Sequence, residues 1–342
     1  MEPQLIDRYA RQKLVPGVGE EGQSRLLAAR VAVVGCGATG SLIASLLTRA
    51  GVGTLRVLDR DFVDWTNLHR QVLYSEEDVT AGRPKAVAAV ERLRRVNSDI
   101  TIEPFVVDLN AANVEEHVGA VDLVMDGTDN FETRFILNDA CVKAGKPWVY
   151  CGAIASQGMV MPVLPGEGPC LRCLLPEPPP AGMAATCDTV GVLGPVVGVA
   201  ASVAAGEGLK ILLGAGAASP PGLVHIDLWE NEYHRFTIAR RPGCPACGRG
   251  EFPYLVAAAV SHTTTLCGRN AVQITVTRSV RLDLKTLAAQ LRPLGEVTLT
   301  PFLLRAALDG HRLTIFPDAR AIIEGTTDEA AARSLYARYV GA

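Results

Sequence analysis

The chain has 342 residues, of which 48% are hydrophobic and 20% are charged, as in ordinary globular proteins. Its formal net charge of -3 gives no electrostatic reason to expect a nucleic acid partner or an anionic membrane surface. The N-terminus carries charges but no apolar core, which argues against a secretory signal. Composition therefore predicts a soluble, cytoplasmic protein, long enough for one large domain and a smaller one.

An uncharged stretch at residues 190–206 is at the short limit for crossing a bilayer. It contains Gly191, Gly194, Pro195 and Gly198, which suit a helix that lets other backbones approach closely. We predict a buried helix of the core rather than a membrane span.

A polar segment reaches Gly22, and a short helix is predicted at residues 23–29. A buried strand at 30–34 then runs into a glycine-rich turn, a helix at 41–50 and a strand at 54–58. This is the order of a dinucleotide-binding fingerprint, in which glycines let phosphate approach the backbone at a helix N-terminus. The alternative is a packing turn in an α/β domain. The predicted nucleotide contacts in this stretch are Gly35, Gly37, Ala38, Gly40 and Asp59.

The alternation of strands and helices continues beyond this fingerprint. Helices are predicted at 83–96 and up to Ala144, strands at 101–107, 121–125 and 148–152, and three more strands at 158–164, 224–228 and 233–239. These elements predict an α/β fold with a doubly wound mixed sheet, one half Rossmann-like and one half antiparallel. Residues 176–185, rich in proline and small residues, are predicted to form a mobile crossover loop.

Four of the nine cysteines form two C-x-x-C pairs, Cys170 with Cys173 and Cys244 with Cys247. Two such pairs supply the four thiolates of a tetrahedral zinc site, which would be structural because no coordination position stays open. This zinc would staple the antiparallel half of the fold. Redox dithiols or unrelated surface cysteines are the alternatives. Cys36, Cys141, Cys151 and Cys267 have apolar or turn surroundings and are interpreted as ordinary buried or semi-buried thiols.

The composition changes after the second cysteine pair. A strand at 272–276, a helix at 284–291, three short strands near Val297, Leu313 and Ala321, and a helix at 328–339 predict a small α+β module. We therefore predict two domains, at residues 1–252 and 268–342, and assign no role to the second.

Polar residues follow the nucleotide strand. Arg70 and Lys85 can neutralise charge on a leaving pyrophosphate, and Asp129 can hold Mg²⁺ on the phosphates. A nicotinamide dehydrogenase, the first rival, needs none of these groups. Each cation taken singly can equally be a solvated surface charge. The further candidates for ATP contacts are Asp61, Asn67, Gln71 and Asn130.

Several motifs resemble those of the ubiquitin-activating-enzyme superfamily. They are Arg8-Tyr9-Ala10-Arg11-Gln12, Gly35 to Gly40, Asn67-Leu68-His69-Arg70-Gln71, Gly82-Arg83-Pro84-Lys85, Thr128-Asp129-Asn130 and both cysteine pairs. The chain is most similar to the molybdopterin-synthase and thiazole-biosynthesis adenylyltransferases, over about residues 5–250. The resemblance implies that ATP meets the C-terminal diglycine of a ubiquitin-like sulfur-carrier protein, giving an acyl-adenylate and pyrophosphate.

The resemblance also implies roles for individual residues. Asp59 would bind the ribose, while Asn67, Arg70 and Lys85 would bind the phosphates. Asp129 would bind Mg²⁺, and Arg11 would enter the neighbouring protomer's site, which implies a homodimer.

Two positions leave questions open within this resemblance. Ala38 stands where glycine is common, a small change that we expect to be tolerated. Cys187 matches the position of a reactive cysteine, although some similar enzymes only adenylate. No rhodanese-type extension is recognisable, so a separate protein would donate sulfur in a later step.

Three other functions remain as alternatives. A superfamily member could activate a different carboxylate, on a modified tRNA or a peptide. The chain could also be a non-catalytic binding module that keeps the fold, or the dehydrogenase considered above.

Overall fold

The computed structural model describes residues 7–179, 190–215, 222–256, 262–266, 270–275 and 282–340, with only the backbone described at 262–266. The chain divides into two units, Met1–Val256 and Ala257–Ala342, and each is described by itself. The predicted crossover loop at 176–185 lies partly outside the described residues.

The first unit alternates strands and helices in the order that the sequence predicts. Its elements are α1 Ala10–Lys13, α2 Gly19–Ala28, β1 Arg30–Val34, α3 Ala38–Ala50, β2 Thr54–Leu58, a 3₁₀ helix Trp65–Asn67, α4 Glu76–Thr80, α5 Lys85–Val96, β3 Thr101–Phe105, α6 Val114–Gly119, β4 Leu123–Asp126, α7 Phe131–Ala144, β5 Trp148–Ile154, β6 Gln157–Val163, α8 Leu171–Leu174, α9 Gly194–Leu212, β7 Gly222–Asp227, β8 Glu232–Thr237 and α10 Pro253–Val256.

The strands form one eight-stranded sheet in the order β3-β2-β1-β4-β5-β6-β7-β8. Strands β1 to β5 pair in parallel, and β6, β7 and β8 continue the sheet in antiparallel fashion. The predicted mixed, doubly wound sheet is therefore confirmed. In the order of the strands, the switch point lies between β1 and β4, where ligands of open α/β sheets bind at the carboxyl edge.

Register brings the candidate loops to that edge. Val34, the last residue of β1, pairs with Leu58 of β2 on one side and with Asp126 of β4 on the other. Leu58 pairs in turn with Phe105 at the end of β3. Because these parallel strands end at the same position along the sheet, the segments after β1, β2 and β4 begin next to one another.

Helices cover both faces of the sheet because strand side chains alternate between them. Val31 and Val33 of β1 join a buried cluster with α3, α5 and α9. Ala32 and Val34 join a second cluster, which includes α6, α7 and three of the four cysteines of the C-x-x-C motifs. The two apolar layers hold the sheet edge and its loops on a rigid base.

The uncharged stretch forms the greater part of helix α9, Gly194–Leu212, which by length and composition alone could cross a membrane. In this fold it packs against α3 and strands β4 to β6. Ala200, Ala201 and Ala204 are fully buried there. This packing supports the prediction of a core helix, with 44% of the most apolar stretch of α9 buried.

The N-terminal segment, though polar in sequence, is anchored to its own unit. It forms α1 and α2, which begin well before the helix predicted at residues 23–29. Tyr9 is buried, and its hydroxyl accepts a hydrogen bond of 2.8 Å from Asn97 Nδ2. Gln12 Nε2 donates to Gln23 Oε1 and to the Ala50 carbonyl, both at 2.8 Å. These bonds hold the segment on its own unit.

The second unit is a small α+β module, as predicted. Its elements are β9 His262–Leu266, β10 Ala271–Thr275, α11 Leu284–Leu291, β11 Glu296–Leu299, β12 Leu304–Leu308, β13 His311–Ile315, β14 Ala321–Glu324 and α12 Glu329–Tyr339. Its antiparallel sheet has the order β11-β12-β13-β14-β10-β9, and α11 and α12 contribute to its apolar core. Strands β9 and β12 were missed from the sequence.

Candidate active site

The glycine-rich turn connects β1 to α3 and cannot carry larger side chains at two positions. Gly35 adopts φ +80°, and a Cβ there would lie 2.6 Å from the Gly127 carbonyl oxygen. A Cβ on Gly40 would collide with the Gly35 carbonyl oxygen. Helix α3 begins at Ala38, and Gly37 before it offers no side-chain cap. The first N–H groups of α3 are therefore available to an anion.

Asp59 follows β2 and holds this turn in place. Its Oδ2 accepts a bond of 2.6 Å from the Cys36 N–H, and its Oδ1 accepts one of 2.7 Å from the Asp61 N–H. Burial raises the pKa of Asp59, the Lys85 ammonium opposes that shift, and the Asp61 carboxylate adds to it. Each carboxylate oxygen keeps a lone pair that can accept from a ribose hydroxyl.

Lys85 begins α5 and lies under the same edge. Its side chain is only 5% exposed, and its Nζ donates to Asp61 Oδ2 at 3.2 Å. The Lys85 backbone N–H also donates to the Asp61 carbonyl, at 2.8 Å. A buried ammonium fixed in this way offers positive charge close to the turn.

Two buried amide side chains follow β2, and one of them, Gln71, approaches Gly37 of the turn. Asn67 is 2% exposed and Gln71 is 4% exposed. Among the described residues, none donates to Asn67 Oδ1 or Gln71 Oε1. A buried acceptor without a donor costs about 1–3 kcal/mol. Such groups are tolerated where a ligand satisfies them, so they fit a nucleotide site.

Arg70 is half-buried and lines a cavity of about 210 Å³. Its Nη1 donates to the Thr66 carbonyl at 2.7 Å, which orients the guanidinium. The cavity lies between the start of α3 and the start of α9, and its lining includes Ala38 and Val72. Ala38 and Arg70 therefore border the same open space, and tolerance of alanine at this position stays a prediction.

The loop after β4 carries Asp129 and is fixed from beneath by a buried ion pair. Arg134 Nε donates to Asp126 Oδ2 at 3.1 Å, and both residues are buried. Asp126 Oδ1 accepts from the Thr128 N–H at 2.8 Å, while Arg134 Nη2 donates to the Thr128 carbonyl at 2.6 Å. Burial raises the pKa of Asp126 and the Arg134 guanidinium opposes that shift. The Thr128 backbone is thus held on both sides.

Asp129 itself is exposed at the sheet edge, where a cation can reach it. Asn130 caps α7, because its side-chain oxygen accepts from the Thr133 N–H at 2.8 Å. The Asn130 Nδ2 lies 3.4 Å from Asp129 Oδ1 and helps orient that carboxylate. Asn130 therefore stabilises the start of α7, and the nucleotide contact predicted for it would be a second role.

Arg11 lies on α1 and is exposed. Within the described ranges, its side chain makes no hydrogen bond or ion pair, whereas Arg8 on the same segment pairs with Asp99 at 3.1 Å. Since α1 is anchored to its own unit, Arg11 is presented outward from a fixed base.

The four cysteines of the two C-x-x-C motifs lie close together in the structure. Cys170 Sγ lies 3.6 Å from Cys244 Sγ, and Cys173 Sγ lies 3.4 Å from Cys247 Sγ. All four sulfurs lie within 4.8 Å of one another. Zinc–sulfur bonds of about 2.3 Å in a tetrahedron separate sulfurs by roughly 3.8 Å, so the cluster fits one zinc ion. The Arg241 N–H, 3.5 Å from Cys173 Sγ, also suits a thiolate.

Among the remaining cysteines, Cys36, Cys141 and Cys151 are fully buried. Burial raises the pKa of Cys36 to about 12, which leaves it a neutral thiol at physiological pH. Cys187, the candidate nucleophile, lies outside the described residues, as does Cys267.

Three residues that hold the site were missed from the sequence: Asp126, Arg134 and Tyr74. The sequence did contain a signal for the ion pair: Asp126 is a charged residue at the end of the apolar strand β4, and Arg134 follows in the next helix. For Tyr74, whose hydroxyl donates to the Cys36 carbonyl, no local signal exists.

Known proteins resemble this chain over the same region. The sequence profile of the ThiF family matches residues 9–246. The sulfur carrier protein ThiS adenylyltransferase of Bacillus subtilis is 42% identical over 340 residues, 98% of this chain and 100% of that protein. A sulfur carrier protein adenylyltransferase of Thermus thermophilus is 44% identical over 248 residues, 71% of this chain and 91% of that protein.

Solved structures agree with the sequence matches. The E. coli MccB structure with ATP has a TM-score of 0.61 at 25% identity, over 71% of this chain and 74% of that chain. The resemblance inferred from the motifs is therefore confirmed. The chain belongs to the ThiF family of adenylyltransferases.

Proposed function

We propose that this protein uses ATP to adenylate the C-terminal glycine carboxylate of a small ubiquitin-like sulfur-carrier protein. Two relatives that match most or all of their own length are named as adenylyltransferases of such carriers. The products would be an acyl-adenylate and pyrophosphate, and a separate protein would donate sulfur in a later step.

One observation carries the proposal: groups suited to a triphosphate converge at the switch point of the sheet. The open N-terminus of α3, the buried Lys85 ammonium and Arg70 offer positive charge there. Gln71 approaches Gly37 of the turn, and among the described residues nothing donates to its side-chain oxygen or to that of Asn67. A nicotinamide dinucleotide would also use the N-terminus of α3, but hydride transfer releases no pyrophosphate for Lys85 and Arg70 to stabilise.

In the proposed reaction, a carboxylate oxygen of the carrier attacks the α-phosphorus of ATP. The bond between that phosphorus and the bridging oxygen breaks, and pyrophosphate leaves with the electron pair. Lys85 and Arg70 would stabilise the charge that grows on the leaving group, and Asp59 would hold the ribose. Asp129 would hold Mg²⁺, which would supply positive charge to stabilise the phosphates. Asp61 would orient the Lys85 ammonium, and Asn130 would orient the Asp129 carboxylate.

ATP–pyrophosphate exchange tests the proposed function. We expect labelled pyrophosphate to enter ATP only when a carrier ending in diglycine is added, because the adenylate must form before it can reverse. A carrier truncated by its last glycine is the control and should give no exchange. Exchange that is absent with every diglycine carrier but present with a peptide or tRNA carboxylate would replace the proposed substrate with that alternative.

We also propose that zinc occupies the four-cysteine cluster in a structural role, and that the protein acts as a cytoplasmic homodimer. The cysteines join the segment after β6 to the segment after β8, so the ion would staple the antiparallel half of the domain. The domain division at residues 1–252 and 268–342 belongs to the same proposal.

In the proposed dimer, Arg11 completes the active site of the neighbouring protomer. Its exposure and anchored helix support this role, and a guanidinium offers forked, permanently charged donors to phosphate. Mixing Arg11→Ala protein with Asp129→Ala protein tests it, since each variant alone should be inactive. Random subunit exchange should restore roughly a quarter of wild-type activity, because half the dimers regain one of two sites.

Arg8→Ala is the matched control for this experiment. It removes a guanidinium from the same segment, but one that pairs with Asp99 of its own chain, so its homodimer should stay active. If labelled subunits exchange and no activity returns on mixing, Arg11 does not act across a dimer.

A further inference from the structure

Tyr74 lies between the 3₁₀ helix and α4, and it contacts the glycine-rich turn from the protein interior. It is 8% exposed, and its hydroxyl donates a hydrogen bond of 2.6 Å to the Cys36 carbonyl oxygen. Burial raises the pKa of Tyr74 well above its usual value, so the hydroxyl keeps its proton and remains a donor.

The backbone N–H of Cys36 is held as well as its carbonyl. Cys36 donates to Asp59 Oδ2 at 2.6 Å, and its own side chain is fully buried. Both backbone polar groups of Cys36 therefore end on buried side chains from later parts of the chain. Gly35 and Gly37, which flank it, are the residues with the greatest backbone freedom, so without these bonds the turn could adopt other conformations.

The carbonyl of Cys36 and the N–H of Gly37 belong to one planar trans peptide unit, in which they point in opposite directions. Because Tyr74 fixes the carbonyl toward the interior, the Gly37 N–H is directed the other way. Among the described residues other than its chain neighbours, only Gln71 Nε2, at 3.7 Å, lies within 4 Å of a Cβ built on Gly37. There is thus open space at Gly37, next to the N-terminus of α3.

We propose that Tyr74 is a positioning residue that aims the Gly37 N–H at a phosphate of bound ATP through its bond to the Cys36 carbonyl. This inference rests on the proposed use of ATP at this edge, but it does not depend on which carboxylate is activated. Without the Tyr74 hydroxyl, the peptide unit between Cys36 and Gly37 can rotate. The Gly37 N–H then points at the phosphate for only part of the time.

The test compares Tyr74→Phe with Tyr336→Phe. Tyr336 is also buried, and its hydroxyl donates to the Ala319 carbonyl at the same 2.6 Å, but in the second unit. Each change keeps the aromatic ring and removes one buried hydrogen bond, so we expect both variants to fold. Their thermal midpoints are measured first, to check that the changes in stability are comparable.

Affinities for adenylyl imidodiphosphate and for adenosine are then measured by calorimetry. Tyr74→Phe should weaken binding of the triphosphate analogue about tenfold, as expected for a hydrogen bond to a charged group, and leave adenosine within twofold. Tyr336→Phe should change neither. Unchanged affinity for the analogue in Tyr74→Phe would overturn the inference, and so would an equal loss for adenosine, which indicates general damage to the site.

This readout separates the inference from the proposed function. Nucleotide binding needs no carrier, whereas pyrophosphate exchange does. If no carrier supports exchange but Tyr74→Phe still discriminates the analogue from adenosine, the proposed function fails while the role of Tyr74 stands.

Discussion

Replacing Asp129 with alanine is expected to lower ATP–pyrophosphate exchange by several orders of magnitude, on the order of a thousandfold, while the protein stays folded. The change removes the carboxylate proposed to hold Mg²⁺, and with it the stabilisation of charge in the transition state. Asp129 is exposed, and the buried pair beneath the loop is formed by Asp126 and Arg134. The loop should therefore keep its conformation, so the effect should appear in catalysis rather than in stability.

Glu132→Ala is the matched control for Asp129→Ala. Glu132 is an exposed carboxylate in the first turn of α7, close in sequence to Asp129 but with no role proposed. It should exchange at the wild-type rate, and both variants should unfold within about 0.5 kcal/mol of wild type. If Asp129→Ala exchanges pyrophosphate within a few-fold of wild type, Asp129 is not the metal ligand.

Replacing Cys244 with serine is expected to abolish stoichiometric zinc binding and to destabilise the first unit. Binding of a structural ion adds to the free energy of unfolding, by about 4 kcal/mol when the ion is present at a thousand times its dissociation constant. For a domain of this size, that loss lowers the thermal midpoint by roughly 10 °C. Metal analysis should find one zinc per wild-type chain and much less than one in the variant.

Cys141→Ala is the control for the zinc experiment, since Cys141 is buried but lies outside the cluster. It should retain one zinc per chain and lose only about 1 kcal/mol from its smaller side chain. A wild-type protein without zinc, or a Cys244→Ser variant with full zinc and stability, would contradict the structural metal site.

Local patterns predicted most of the first unit. Strands β1 and β2 have the bounds that the sequence predicted, because each is a short apolar run that meets a turn or an acidic residue. The two C-x-x-C pairs predicted one cluster, and their sulfurs do come together. The second unit was harder, since β12 alternates in burial but has only one polar residue, Arg305, to mark that alternation in the sequence.

The N-terminal segment shows where local reasoning failed. Its polar composition predicted no helix before residue 23, yet α1 and α2 begin earlier, and Tyr9 and Gln12 bind groups near the ends of α5 and α3. A single buried tyrosine and one glutamine amide are enough to hold such a segment, and neither stands out in a sequence pattern.

The sequence by itself determined the doubly wound sheet, the glycine-rich turn and the set of residues near its carboxyl edge. These follow from hydrophobic periodicity and from glycine's conformational freedom, which act over a few residues. Only the tertiary structure decided how the turn is held: Tyr74 meets Cys36 across 38 positions, and Arg134 reaches the Thr128 carbonyl from α7. Such bonds arise when strands pack in register and buried polar groups must find partners, so side chains distant in sequence determine where the backbone donors point.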